Sequence, residues 1–217
     1  FTFLGLRDLA VNTSTDRIYV VAGEQMAVID GDTNQITDVV ALVDIAISIA
    51  INSETNRIYL SARSGQIWVI DGETNETVAT IPGVFGASPG VFGAYPGVSG
   101  RLAVNPATNR IYVADIAGQR LVVIDGDSNT EVGSVAAEVV GDPAVNSVTN
   151  RIYVVGSDSG KVTVIDGETD QVVAVVDLGA RLGGVTVNPK TNRIYVSQHG
   201  EYAADAGRLI AVDGESH

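Results

Sequence analysis

The sequence predicts an all-β fold, a five-bladed β-propeller of four-stranded antiparallel blades, and three observations predict it. A ten-residue phrase occurs five times, a second phrase follows each copy in unchanging order, and no stretch carries the apolar period of a helix. The first phrase reads VNTSTDRIYV from Val11, INSETNRIYL from Ile51, VNPATNRIYV from Val104, VNSVTNRIYV from Val145 and VNPKTNRIYV from Val187. The second reads VIDGDTN from Val28, VIDGETN from Val69, VIDGDSN from Val123, VIDGETD from Val164 and the shorter AVDGES from Ala211. Copies start 40, 53, 41 and 42 residues apart. A unit of about forty residues is the length of one propeller blade, so residues 1–217 read as a single domain with repeats starting near 11, 51, 104, 145 and 187.

Each element of the unit has a local cause. The apolar residues before Asn12 and its equivalents form a first strand, and the Asn-x-x-Thr-Asn that follows suits a tight turn. Arg-Ile-Tyr-Val is a second strand, rich in β-branched and aromatic residues, whose alternation sets Ile and Val on one face and Arg and Tyr on the other. A variable loop containing glycine leads to a third strand ending in Val-Ile-Asp, and Asp-Gly-Glu-Thr-Asn supplies the next turn. VVAVVDL and its counterparts form the fourth. The last copy leaves room for three strands only, and Phe1 to Leu4 stand where a fourth would end. The expectation is that this N-terminal segment joins the C-terminal blade beside Leu209 to Val212 and closes the ring, which removes exposed sheet edges.

These phrases resemble the YVTN β-propeller repeat family, whose hallmark is NPxTNRIYV followed by VIDGxTNxVxxTI, and the likeness runs over essentially the whole chain. The resemblance implies an extracytoplasmic protein, secreted, periplasmic or at the cell surface. It also implies either a binding or structural module or, as in virginiamycin B lyase-like relatives, a lyase or hydrolase with its site at the mouth of the central channel.

Composition narrows the functions. Thirteen basic against twenty-six acidic residues give a net charge of −13, which repels phosphate backbones, so no nucleic acid is expected as partner. No apolar run reaches the length of a membrane span, so no membrane insertion is expected. The chain has no Cys, which excludes disulfides and thiolate metal sites. A monomer with no cofactor is the expectation.

Two segments depart from the repeat, and departures from a scaffold are where function usually sits. VFGASPGVFGAYPGV is a tandem duplication running from Val84 and bringing Phe92 and Tyr95. SQHGEYAADAGR, from Ser197, interrupts the last blade and brings His199, Glu201 and Tyr202. Strands of a blade alternate in direction, so both segments emerge on one face, opposite the repeated turns. Arg7, Asp8, Arg101 and Asp142 precede first strands and are expected to crowd the channel mouth on that same face, pairing with one another. The candidate ligand-binding residues are therefore Phe92, Tyr95, Arg101, His199, Glu201 and Tyr202, for a protein, glycan or small molecule. No catalytic residue is assigned. The paired carboxylates of the Asp-Gly turns, such as Asp30 with Asp32, are read as turn caps and not as a metal site, because each turn offers too few oxygen ligands for Ca²⁺. Arg17, Tyr19 and their once-per-blade equivalents are read as blade-to-blade packing.

Overall fold

The computed structural model describes residues 5–86, 100–179, 181–200 and 206–215. Every regular element among them is a strand, and consecutive strands pair antiparallel into five separate sheets. The first sheet holds β1 (Leu6–Asn12), β2 (Arg17–Ala22), β3 (Gln25–Asp30) and β4 (Ile36–Ala41). The second holds β5 (Ala46–Asn52), β6 (Arg57–Ala62), β7 (Ile67–Asp71) and β8 (Thr77–Ile81). The third holds β9 (Arg101–Asn105), β10 (Arg110–Asp115), β11 (Arg120–Asp125) and β12 (Thr130–Ala136). The fourth holds β13 (Ala144–Asn146), β14 (Arg151–Gly156), β15 (Lys161–Asp166) and β16 (Val172–Asp177). The fifth has three strands, β17 (Leu182–Asn188), β18 (Arg193–Gln198) and β19 (Arg208–Asp213).

The first strands are the innermost. β1 lies beside β5, β5 beside β9, β9 beside β13 and β13 beside β17, so the sheets stand side by side around a common axis. Register repeats from blade to blade: Asn12 faces Arg17, which faces Asp30, and Asn52 faces Arg57, which faces Asp71. The repeated phrases are thus one structural unit in which both turns lie at the same end.

The hydrophobic core is divided among the blade junctions. Tyr19, Val21, Met26 and Val28 of the first blade pack on Ile58, Leu60, Trp68 and Ile70 of the second. Tyr59, Ile67 and Val69 pack in the same way on Ile111, Val113, Val122 and Ile124. Tyr112, Leu121 and Val123 pack on Ile152, Val154 and Ile165, and Tyr153, Val162 and Val164 on Ile194 and Val196. The tyrosine face of each blade therefore meets the isoleucine face of the next. Sequence alternation assigns these two faces correctly, but neither is a solvent face in the middle blades, because stacking buries both.

No strand pairing among the described residues joins the fifth sheet to the first. Phe1 to Leu4, the segment expected to close the ring, lies outside the described residues.

Candidate functional site

The repeated turns form a rim whose side chains are committed to the architecture. Asn12 donates from Nδ2 to Oδ1 of Asn56 at 2.8 Å, Asn52 to Asn109 at 2.7 Å, Asn105 to Asn150 at 2.6 Å and Asn146 to Asn192 at 2.8 Å. Each bond runs from the end of one first strand to the turn of the next blade, and all four donors are fully buried. The same donors accept the N–H of Ser14, Glu54, Ala107 and Val148 in their own turns. Asn56, Asn109, Asn150 and Asn192 have φ of 52°, 49°, 52° and 50°, in the left-handed region that Asn tolerates better than most residues. The phrase N-x-x-T-N is thus a turn and a latch at once, and sequence reasoning recovered only the turn. An Asn at both ends of four of the five copies, with Asp16 closing the first, where one would suffice to turn the chain, is the signal that could have found the latch.

Arg and Tyr add to the same junctions. Arg17 Nη1 donates to the carbonyl of Gly72 at 2.7 Å, with the Tyr19 hydroxyl at 3.4 Å from the same oxygen. Arg110 reaches Asp170 at 3.4 Å, and the Tyr112 hydroxyl donates to that carboxylate at 3.1 Å. Arg57 and Arg151 instead pair within their own blades, with Asp71 and Asp166. Burial pushes the Tyr59 phenol up to about 12, and its hydroxyl has no hydrogen-bond partner among the described residues.

In the Asp-Gly turns the first carboxylate caps the turn. Asp71 Oδ1 accepts the N–H of Glu73 and Thr74, and Asp125 Oδ1 accepts those of Asp127 and Ser128. The amide of Thr74 leads in holding the Asp71 carboxyl below its ordinary value, and that of Ser128 does the same for Asp125. The glycine that follows is required by proximity. A Cβ on Gly72 would fall on the Asn56 side chain, because Gly72 N–H donates to the Asn56 carbonyl at 2.9 Å. Sequence reasoning assigned these glycines to turn geometry; the structure assigns them to the contact between the two turns of one blade.

The opposite end of the innermost strands differs. Register shifts between Leu6 and Asp8, between Ala46 and Ser48 and between Leu182 and Val185 place a bulge near the start of β1, β5 and β17, and bulges re-aim side chains. Asp8 Oδ2 accepts Ser48 Oγ at 2.8 Å and the N–H of Ile49 at 3.1 Å, clamping the first blade to the second. The Ser48 hydroxyl in turn accepts the N–H of Leu102 at 3.4 Å. The expected mutual pairing of the four charged residues is therefore half realised. Arg101 pairs with Asp142 at 3.7 Å, across the third and fourth blades, whereas Asp8 goes to Ser48. The Arg7 Nε is enclosed without a hydrogen-bond partner among the described residues.

Asp142 combines contact with water and a confined setting. Its side chain is 58% exposed, yet loss of surrounding solvent raises its carboxyl above the ordinary value; Arg101 opposes this and the charge of Asp8 adds to it.

His199 is exposed and held by its backbone, which donates to the Arg181 carbonyl at 2.9 Å. Its ring lies over Gly183, where a Cβ would fall on Nε2. Gly141, the neighbour of Asp142, approaches the Gly183 carbonyl as well, so the mouths of the fourth and fifth blades meet at two glycines. Of the predicted site residues, Arg101 and His199 thus stand at the mouth, with Asp142 and the enclosed Arg7. Phe92, Tyr95, Glu201 and Tyr202 lie outside the described residues. Ser48 and the Gly141–Gly183 approach carry no motif and were not anticipated. Among the described residues there is no group of three or more His, Asp or Glu placed to hold a metal ion.

Repeated antiparallel sheets arranged around an axis, with one latched rim and one irregular mouth, define a β-propeller. The chain matches no known family profile and no curated protein sequence. In fold it is similar to Kuenenia stuttgartiensis hydrazine synthase, at 16% identity and a TM-score of 0.75, over 98% of this chain and 64% of that one. It is also similar to U3-55K, at 13% identity and a TM-score of 0.70, over 91% of this chain and 59% of that one. Both are β-propeller proteins, and the chain spans less than two thirds of either.

Proposed function

We propose that the protein is a non-enzymatic propeller scaffold that presents its irregular mouth to a protein, glycan or small ligand. The observation that carries this reading is the contrast between the ends of the innermost strands: at the turn rim the Asn side chains are buried and bonded across blades, whereas Asp142 and His199 at the mouth stay open to solvent. Arg101 beside Asp142 offers a donor and an acceptor side by side, which suits a polar ligand. Phe92, Tyr95 and Tyr202 would add aromatic surface from the two insertions, the usual anchors of recognition. The resemblance of the repeat to the YVTN family supports an extracytoplasmic setting and a binding role. A lyase or hydrolase at the same mouth is not favoured, since His199 is the one internal histidine and has no acid–base partner among the described residues.

The test is a binding screen of the intact chain against fixed panels of glycans and peptides. Hits should weaken at least tenfold in Arg101→Ala or in a chain lacking one copy of the duplicated heptad, and persist in Asp125→Asn on the turn rim. Hits lost in Asp125→Asn and untouched at the mouth would overturn the reading.

A further inference from the structure

The four blade junctions share one polarity, and the outward face of the fifth blade carries the donor half of a junction with no acceptor half against it among the described residues. At the third-strand position where Met26, Ile67, Leu121 and Val162 are at most 4% exposed, the fifth blade has Leu209 at 72%. Tyr195 is half-buried, although Tyr19, Tyr59, Tyr112 and Tyr153 are buried completely or nearly so. Asn188 is exposed, although Asn12, Asn52, Asn105 and Asn146 are fully buried latch donors. The first blade shows the acceptor half: Asp16, exposed with φ of 52°, stands where Asn56 accepts, and Leu9 and Val11 are 60% and 47% exposed. Apolar faces of this kind mark interaction surfaces.

From this geometry we infer that the outward face of the fifth blade is a docking face for a further blade of the same repeat. That blade would bring an isoleucine face onto Tyr195 and Leu209, and the Oδ1 of its N-x-x-T-N turn onto Asn188. Continuity with the four existing junctions fixes this chemistry, since each of them pairs a tyrosine face and an Asn donor with an isoleucine face and a turn acceptor. Among the described residues the fifth sheet has three strands with β19 at its edge, the edge that would take the outer strand leading into such a blade.

Two measurements test this. In the chain as it stands, Asn188→Ala and Leu209→Asp should leave the melting temperature unchanged and the mass that of a monomer at all concentrations. A second copy of residues 127–166 placed after Gly214 would supply an outer strand and a further blade in register. The extended chain should melt several degrees higher, and Asn188→Ala should now lower its melting temperature by about 2–4 °C, as loss of one buried hydrogen bond does in a domain of this size. Three results would overturn the inference. A fall in the unextended chain with either substitution, independent of concentration, would mean that the first blade already covers this face. A concentration-dependent mass abolished by Leu209→Asp would mean that a second copy does. An extended chain that melts no higher than the parent would mean that the face does not accept a blade.

Discussion

The two ends of the innermost strands are built from the same β-sheet chemistry but use polar side chains in opposite ways. At the turn rim, Asn105 is buried, donates to Asn150 in the next blade and accepts from its own turn. At the mouth, Arg101 begins the same strand and holds Asp142 at 3.7 Å in contact with water. A buried, doubly bonded amide is expensive to remove because its partners are left without replacement, whereas a long ion pair with one partner open to solvent contributes less. The difference teaches where substitution is tolerated, and hence where the surface is free to recognise something.

The sharpest break should come from the aromatic at a junction. Tyr112→Ala removes a fully buried ring between the third and fourth blades and is expected to destabilise by about 3–5 kcal/mol in chemical denaturation. Next is Asn105→Ala, which leaves the turn of the fourth blade without its cross-blade donor and is expected to lower stability by about 1–3 kcal/mol. The tyrosine hydroxyls separate more finely. Tyr112→Phe gives up the bond to Asp170 and should cost about 1 kcal/mol, while Tyr59→Phe gives up a hydroxyl with no partner and should be neutral or slightly stabilising. Equal losses in the two variants would show that Tyr59 has a partner as well.

The two ends should also respond oppositely to acid. Asp71, Asp125 and Asp166 at the turns have folded values below the ordinary carboxyl, so the stability they contribute is present above that value and is lost as pH falls through the lower, folded one. Asp142 has a raised folded value, so its ionised form is the less stable one at neutral pH, and the penalty disappears as pH falls through that value. Asp142→Asn is therefore expected to raise the melting temperature slightly at neutral pH and to leave it unchanged well below pH 4, measured by scanning calorimetry at both.

Blade count, strand order and the two faces of each strand are legible in the sequence because the repeat restates them five times. Tyr19, Tyr59, Tyr112 and Tyr153 fall at one position, and a position that every blade needs is a packing position. The latch was illegible for a different reason: Asn12 and Asn56 are 44 residues apart, and nothing local to either reports the other. The mouth was half legible. Arg101, Asp142 and His199 stand out because they break the repeat, but the partner of Asp8 is Ser48, a residue whose role exists only once the bulges of β1 and β5 bring the two blades together.

The central claim is that the Asn latches of the turn rim hold the propeller together and that Arg101, Asp142 and His199 at the mouth do not. The most direct test is the melting temperature of the triple variant Arg101→Ala, Asp142→Asn, His199→Ala beside that of Asn105→Ala. Since 1 kcal/mol corresponds to about 2–4 °C in a domain of this size, the triple variant should melt within about 2 °C of the parent while Asn105→Ala falls further. A triple variant that falls as far as Asn105→Ala would show that the mouth, too, is part of the structural frame, and would contradict the account.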